Sequence, residues 1–292
     1  MKRRFYQLDV FTDRPYAGNP LAVVTDADGL TAARMQAIAR EMNLSETVFV
    51  QKPSTNRALA RLRIFTTTRE LPLAGHPVIG TWFLLAELGV VPAREGVVHV
   101  QQETGAGVLP VEIFFESGKP RIVTMTQRPA RFRPARLDRR GLAAALGLRG
   151  GDLDPRLPVE FVSTGIFNLM VPLANRVALG RIDMEVRSLR RILGDDGVMA
   201  YCFVPQGRQA HARGMLPWGL AEDPATGSAA GSLGAYLVQH GRLAAGKTLR
   251  IVQGVRMGRP SEIYVNVTEK RTRLVPRVSG AAVRILEGRI EA

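Results

Sequence analysis

The 292-residue sequence predicts an α+β protein of two similar lobes, each a mostly antiparallel sheet wrapped around one long apolar helix. Residues 70–89 (ELPLAGHPVIGTWFLLAELG) are echoed without a gap by residues 222–241 (EDPATGSAAGSLGAYLVQHG). Each copy contains a run that is apolar on every helical face, which is typical of a buried helix. Short strand patterns flank both copies. A chain that repeats its architecture once usually folds as two lobes, and the cleft between them is the expected site.

The first half alternates strands and helices. A helix over residues 30–42 is indicated by apolar side chains at helical spacing from Met35 to Met42. A second helix over residues 77–88 has a proline in its first turn, where the missing N–H costs nothing, and Gly89 as its C-terminal cap. Strands are predicted at residues 5–11, 22–24, 47–50, 58–65, 97–100, 108–115 and 121–126.

The second half repeats this plan after a segment, residues 127–158, that is rich in proline, arginine and glycine and marks the passage between lobes. We therefore predict an N-terminal lobe over residues 1–126 and a C-terminal lobe over residues 127–292, with the lobe that receives the last strand left open. Helices are predicted at residues 142–148, 189–193 and 228–240, and strands at 161–164, 169–173, 198–204, 248–252, 261–267 and 281–286.

Composition and charge limit the classes of function that the chain can have. The chain is 46% hydrophobic and 23% charged, as in ordinary globular proteins, and no apolar run approaches the roughly 18 residues of a membrane helix. A net charge of +14 can indicate nucleic-acid partners. Its arginines are scattered, however, and no recognition motif accompanies them, so attraction of small anions explains the charge as well. The single cysteine, Cys202, fits a reducing cytoplasm.

The two copies differ in their reactive groups, and these differences indicate function. Glu46 faces an alanine or a tyrosine in the second copy, Asp223 faces Leu71, and Ser228 faces His76. Glu46 lies between a predicted helix and a predicted strand, where a general acid or base can point into a cleft. Each of these groups also has an ordinary structural interpretation, as an exposed charge, a turn residue or a helix-start histidine.

Both copies also place a glycine at the start of the apolar helix, Gly75 and Gly227. Glycine lets the backbone approach a ligand closely, and the free N–H groups of a helix start favour an anion. Two ordinary helix entries would look the same. No phosphate-loop lysine follows either glycine, and the four histidines show no ligand spacing, so we predict neither a nucleotide site nor a metal site.

Several stretches together resemble the PhzF-like family of phenazine-biosynthesis isomerases, whose fold is that of diaminopimelate epimerase. They occur in the family's order from Asp9 to Ser261 and contain the motifs GNP, SET, GHP and EDPATGS. The resemblance implies two pseudo-symmetric lobes, each an antiparallel barrel-like sheet around a central helix. It also implies a cytoplasmic homodimer that needs no cofactor. Residues 9–24, 35–50, 70–81, 221–237 and 253–261 carry the likeness.

The resemblance implies roles for the motif residues. Glu46 of the SET motif would carry a proton between two carbons of one substrate, with His76 and Asp223 as polar partners. The turns at Gly75, Gly227 and Ser228 would bind the carboxylate of the substrate. Asn19 and Ser45 would line the cavity.

Proton transfer between carbons suits a carboxylate in an apolar cleft, because desolvation raises its pKa toward the range of a group that acts first as base and then as acid. The expected reaction is the isomerisation of a small cyclic or unsaturated carboxylate, as for trans-2,3-dihydro-3-hydroxyanthranilate. Thr68 and Leu73 depart from the family pattern, so the motifs imply chemistry more than substrate.

Other functions stay open. Another amino or hydroxy acid could be the substrate of an epimerase or isomerase, and a non-catalytic protein could bind an anion or RNA. Diaminopimelate epimerase and proline racemase resemble this fold but use two cysteines at the helix starts. Since this chain has His76 and Ser228 there, two-thiol racemase chemistry is excluded.

Overall fold

A computed structural model describes residues 2–194, 197–218 and 221–292. By its internal contacts the chain divides into two compact units, one of Met1–Thr126 with Ser279–Ala292 and the other of Gln127–Val278. The last strand therefore joins the first unit, which is one of the two arrangements that the sequence left open. The reason is a long antiparallel ladder in which Lys2 lies opposite Glu291 and Val10 opposite Ala282.

The elements up to residue 126 are β1 (Lys2–Val10), β2 (Asn19–Val24), α1 (Ala32–Met42), β3 (Thr47–Gln51), β4 (Ala60–Phe65), β5 (Glu70–Leu71), α2 (Gly75–Glu87), β6 (Gly96–Thr104), β7 (Gly107–Glu116) and β8 (Lys119–Thr126). The predicted helices and strands of this half are all present, with ends shifted by a few residues. Thr31 caps α1 by accepting a hydrogen bond from the backbone N–H of Arg34. The apolar side of α1 is buried as predicted, through Met35, Ile38 and Ala39.

The remaining elements are β9 (Arg131–Pro134), α3 (Arg139–Ala145), β10 (Glu160–Ser163), β11 (Phe167–Pro172), α4 (Arg176–Arg181), α5 (Val186–Leu193), β12 (Gly197–Gln206), β13 (Gln209–Met215), β14 (Glu222–Asp223), α6 (Gly227–Gln239), β15 (Thr248–Gln253), β16 (Ser261–Lys270), β17 (Arg273–Gly280) and β18 (Ala282–Glu291). The sequence did not predict β9, β13, β17 or α4. Helix α3 begins earlier than predicted, because Asp138 caps it through the N–H groups of Arg140 and Gly141.

Most of the described strand pairs are antiparallel, as predicted, but each unit also contains parallel pairs, so the sheets are mixed. In the first unit β2 pairs with β3, and β4 with β6, in parallel. In the second unit β11 pairs with β12, and β13 with β15, in parallel. A parallel pair needs a crossover connection, and helix α1 supplies one between β2 and β3.

The apolar helices α2 and α6 are buried, as their sequences predict. In α2 every residue between Gly75 and Glu87 is buried, and the helix packs against β1, β2, β3, β7, β8 and β18 of its own unit. Helix α6 is buried over most of its length and packs against β10, β11 and β16. A helix with no polar face can be stable only inside a shell of this kind, because its apolar surface would otherwise face water.

None of the described helices is long and apolar enough to cross a membrane.

Candidate active site

Glu46 and His76 meet within the first unit. Glu46 directly precedes β3, and His76 is the second residue of α2. The Oε2 atom of Glu46 lies 3.3 Å from the Nε2 atom of His76, with 17% of the Glu46 side chain and 8% of the His76 side chain exposed. The two side chains are therefore largely withdrawn from water and close enough to share a proton or a substrate atom.

Burial determines the protonation of His76 near neutral pH. It lowers the pKa of His76 from 6.5 to about 3, so the imidazole is neutral and carries one ring proton. Despite the short distance to Glu46, Nε2 makes no hydrogen bond of good geometry within the described part of the chain. The contact is thus a close approach rather than an aligned bond. A buried ring nitrogen that lacks an aligned bond is costly in a purely structural residue and is common where a ligand completes the site.

Ser45 and Asn19 lie beside this pair in sequence and contact each other. Ser45 Oγ donates a hydrogen bond of 3.2 Å to Asn19 Oδ1, and Asn19 is fully buried at the start of β2. The preceding Gly18 has φ of +61°, and a Cβ at this position would overlap the carbonyl oxygen of Val10. The GNP turn is therefore possible only with glycine, and it brings Asn19 to the residue that precedes Glu46.

The starts of the two buried helices have the same form. The N-cap residues are Ala74 for α2 and Thr226 for α6, and neither side chain caps its helix. The backbone N–H groups that follow, from Gly75 and from Gly227 and Ser228, are the groups that bind anions at a helix start. In the second unit the side chain of Gln127 stabilises this turn, because its Nε2 atom donates a hydrogen bond of 2.9 Å to the backbone oxygen of Gly227.

Asp223 lies in β14, three residues before the N-cap of α6. Its Oδ2 atom accepts a hydrogen bond of 2.5 Å from Thr226 Oγ1. Gln253, at the end of β15, donates to the backbone oxygen of Asp223 (2.7 Å) and to Thr226 Oγ1 (3.0 Å). The second unit therefore holds Asp223, Gly227 and Ser228 on one turn, with the side chain of Asp223 bonded into the fold.

The site turns are built on the same local frame in both units. Arg63 binds Glu70 through two hydrogen bonds of 2.7 and 2.6 Å, and Arg213 binds Glu222 through two of 3.0 and 2.7 Å. The carboxylates that begin the two sequence repeats are thus structural partners of arginines. Each pair fixes the hairpin from which the site turn and the buried helix emerge.

The strand register locates where the repeats differ. Glu70 lies opposite Phe65 and Glu222 opposite Met215, so Leu71 opposite Ile64 corresponds to Asp223 opposite Gly214. This agrees with the alignment of Asp223 with Leu71. The residue of the second repeat that corresponds to Glu46 was misassigned, however. Thr47 lies opposite Phe65 and Ala200 opposite Met215, so the residue that corresponds to Glu46 is Met199 rather than an alanine or a tyrosine.

Sequence reasoning missed three polar residues around Asp223: Thr226, Gln253 and Tyr201. Thr226 lies in the EDPATGS motif and Gln253 begins the QGV motif, so their motifs were a signal that could have found them. Tyr201 lies in a strand of apolar pattern and gave none. Its hydroxyl donates to Gln253 Oε1 (2.8 Å) across 52 positions of sequence.

Cys202 is buried in β12, and burial raises its pKa to about 12. A thiol of this kind is unreactive. Over the described ranges, no three or more histidine, cysteine, aspartate or glutamate side chains are grouped to hold a metal ion. A cavity of about 420 Å³ in the first unit, lined by residues such as Arg3 and Leu88, and one of about 500 Å³ in the second unit, lined by residues such as Arg133, include none of the predicted site residues.

Comparison with known proteins extends over the whole chain. The sequence model of the phenazine biosynthesis-like protein family, PhzC-PhzF, matches residues 8–288. A trans-2,3-dihydro-3-hydroxyanthranilate isomerase of Pseudomonas aeruginosa is 36% identical over 292 residues that cover 98% of each chain. A solved PhzF-family protein of Bacillus anthracis is 30% identical and has a TM-score of 0.90, with 100% of each chain covered.

A more distant structure shows how far the fold extends. A probable proline racemase from Agrobacterium radiobacter is 13% identical and has a TM-score of 0.70, with 99% of this chain and 93% of the racemase covered. This likeness concerns the α+β mixed-sheet fold alone. The family match and the relatives named as isomerases support the function of an isomerase. The chain therefore belongs to the phenazine biosynthesis-like PhzC-PhzF family.

Proposed function

We propose that this isomerase moves a proton between two carbons of a small cyclic or unsaturated carboxylate without a cofactor. The observation that carries the proposal is the approach of Glu46 Oε2 to within 3.3 Å of a neutral, buried His76 Nε2. A carboxylate in such surroundings can act as base and then as acid, because it is largely shielded from water and has a polar neighbour that does not carry the opposite charge.

In the proposed step the Glu46 carboxylate takes the proton of a C–H bond. The released electron pair forms a new C=C bond, the existing double bond moves by one position, and its far carbon takes the proton back from Glu46. Nothing is oxidised or reduced, and no atom is gained or lost. His76 lies where it can contact the substrate beside Glu46, and the helix-start N–H groups can bind the substrate carboxylate.

The remaining residues take the roles that the motifs imply. Asp223 is a polar partner of the shuttle. Gly75, Gly227 and Ser228 bind the carboxylate. Asn19 and Ser45 line the cavity, and their mutual hydrogen bond (3.2 Å) supports the position of the SET motif.

The proposal includes the finer architecture. The two units are pseudo-symmetric lobes of a diaminopimelate epimerase-like fold, each a barrel-like sheet around its buried helix. The repeated Arg63–Glu70 and Arg213–Glu222 frames support it. A cytoplasmic homodimer without nucleic-acid partners completes the proposal.

The substrate that we propose first is trans-2,3-dihydro-3-hydroxyanthranilate, named for the Pseudomonas aeruginosa relative. The test is proton NMR in D₂O with this acid and a panel of amino and hydroxy acids. We expect a shifted double bond with wild type, and a loss of about 10² to 10⁴ in rate for Glu46→Gln. Glu41→Gln, on the exposed side of α1, is the matched control and should turn over like wild type. Equal rates for Glu46→Gln and Glu41→Gln would refute the shuttle.

A further inference from the structure

Asp223 ends a buried row of hydrogen-bonding side chains in the second unit. Tyr201 OH lies 2.8 Å from Gln253 Oε1, Gln253 Nε2 lies 3.0 Å from Thr226 Oγ1, and Thr226 Oγ1 lies 2.5 Å from Asp223 Oδ2. Tyr201 and Gln253 are fully buried, and Thr226 is 8% exposed. The mechanism proposed above uses only the last member of this row.

The direction of each hydrogen bond in the row is determined by two backbone groups. The N–H of Thr226 donates to one end of the Gln253 amide (3.1 Å), which must be its oxygen. The carbonyl of Asp223 accepts from the other end (2.7 Å), which must be its nitrogen. Since that nitrogen also donates to Thr226 Oγ1, the hydroxyl proton of Thr226 is left to donate to Asp223. Asp223 Oδ2 is therefore an acceptor.

Tyr201 reinforces the orientation of the amide from the far end. Gln253 Oε1 can only accept, so the phenol must donate to it. Burial, together with the negative charge of Asp223, raises the pKa of Tyr201, so the phenol keeps its proton. The row thus has one direction from Tyr201 to Asp223.

The fold does not require this row, because the first unit builds the same frame without it. The strand registers make Val48 the counterpart of Tyr201 and Thr104 that of Gln253. The repeat alignment places Ala74 where Thr226 stands and Leu71 where Asp223 stands. Of these first-unit residues only Thr104 has a polar side chain, and it bonds within its own turn, donating to Gly107 O (3.3 Å).

A glycine makes room for the row. A Cβ atom at Gly214 would lie 3.1 Å from Thr226 Oγ1 and 3.2 Å from Gln253 Nε2, closer than most real contacts. The first unit has Ile64 at this position. The second unit therefore has a glycine in the sheet where the polar row passes. Packing alone does not explain the absence of a side chain at this position.

We propose that Thr226, Gln253 and Tyr201 are positioning residues, which hold the carboxylate of Asp223 in one orientation as a hydrogen-bond acceptor for the isomerisation. The inference rests on the proposed function, in which Asp223 is a polar partner of the shuttle. It assigns to these three residues the orientation of that one carboxylate, in addition to the bonds between Gln253 and the backbone of the turn.

The first test compares Thr226→Val with Thr226→Ser, using trans-2,3-dihydro-3-hydroxyanthranilate as the probe. Valine keeps the shape of threonine without the hydroxyl, whereas serine keeps the hydroxyl. We expect Thr226→Val to lower kcat about 10- to 100-fold, the effect of losing a hydrogen bond to a charged group, with KM changed much less. Thr226→Ser should recover most of kcat. Equal kcat for the two variants would overturn the inference.

The second test removes the far end of the row. Tyr201→Phe should lower kcat by a smaller factor, about 2- to 10-fold, because Thr226 N–H still donates to Gln253. Tyr236→Phe is the matched control, since Tyr236 is a buried phenol of the same unit that donates to Pro158 O (2.6 Å). Both variants should lose similar thermal stability. If they also lose similar kcat, the row has no positioning role.

A spectroscopic test works without turnover. In protein labelled with ¹³C at the aspartate carboxyl, the resonance of Asp223 is the one that disappears in Asp223→Asn. It should shift in Thr226→Val and stay near its wild-type position in Thr226→Ser. If wild type does not turn over the probe, the substrate proposed above fails while this shift still tests the row. If Asp223→Asn turns over like wild type, the role of Asp223 fails and the inference with it.

Discussion

Arg213 binds Glu222 through two hydrogen bonds, one residue before Asp223, and repeats the bond between Arg63 and Glu70 of the first unit. The two pairs differ in burial. The side chains of Arg213 and Glu222 are 11% and 10% exposed, whereas those of Arg63 and Glu70 are 18% and 40% exposed. One interaction geometry therefore occurs twice in this chain, in a buried and in a more exposed form.

This difference predicts unequal costs for the same substitution. Glu222→Gln should lower the free energy of unfolding by about 3 kcal/mol, because it leaves a buried guanidinium without its counter-charge. Glu70→Gln should cost less than about 1 kcal/mol, because water screens the more exposed pair. Urea denaturation of the two variants measures both values. Equal costs would show that the burial of the second pair has no energetic consequence.

His76 predicts a pH dependence of stability. Burial lowers its pKa from 6.5 to about 3, so the unfolded chain binds the proton more readily between these pH values. The contribution of His76 is complete above pH 6.5 and is lost as the pH falls toward 3. Between pH 7 and pH 5, wild type should lose about 2 kcal/mol more of its unfolding free energy than His76→Gln does.

Urea denaturation at the two pH values measures this difference. The control is His99→Gln, which makes the same substitution at a histidine that is exposed on β6. A His76→Gln variant that loses as much stability as wild type would contradict the buried, neutral imidazole on which the proposed site depends.

The buried helices could be predicted from the sequence because their signal is local. In α2 the apolar residues, Pro77 in the first turn and Gly89 at the end specify a buried helix without reference to the rest of the chain. The strand β9 was missed because it is only four residues long and all but one of them are arginine or proline, and β17 because Pro276 interrupts its pattern. The sequence could not show which strand pairs run parallel, since side-chain periodicity along a strand carries no information about its neighbours.

The candidate site likewise has residues that the sequence could identify and contacts that it could not. Glu46, His76 and Asp223 could be named as candidates because their motifs are contiguous in sequence. The contacts that Asp223 makes were not, because Tyr201 and Gln253 reach it only after β12 and β15 have been placed in the sheet. The counterpart of Glu46 was misassigned for a related reason. The connection from Thr47 to Phe65 is longer than that from Ala200 to Met215, whereas the hairpin from Phe65 to Glu70 is shorter than that from Met215 to Glu222. The offset between the repeats therefore changes along the chain.

Cys202 predicts a contrast with two-thiol racemases. It is buried in β12, and burial raises its pKa to about 12, so little thiolate forms at neutral pH. The folded protein should therefore not react with Ellman's reagent until urea unfolds it, and Cys202→Ala should turn over like wild type. Absorbance at neutral pH with and without urea measures the first outcome. Rapid labelling of the folded protein, or inactivity of Cys202→Ala, would reopen thiol chemistry.

Gly18 connects backbone strain to the site. Its φ is +61°, and a Cβ would overlap the carbonyl oxygen of Val10, whereas a Cβ at Gly29, where φ is +80°, would have no neighbouring atom within 4 Å. Gly29→Ala should cost about 1 to 2 kcal/mol, the cost of a left-handed conformation for a residue with Cβ. Gly18→Ala should cost more, because the turn must also move away from Val10.

The movement of this turn should also affect the proposed reaction. Gly18 precedes Asn19, which accepts the hydrogen bond of Ser45 next to Glu46. We therefore expect Gly18→Ala to lower kcat/KM for the carboxylate substrate, and Gly29→Ala to leave it at the wild-type value while both remain folded by circular dichroism. Because both variants carry the same backbone strain, a difference in kcat/KM isolates the displacement of Asn19. Equal kcat/KM of the two variants would show that the GNP turn has a purely structural role and does not affect the proton shuttle.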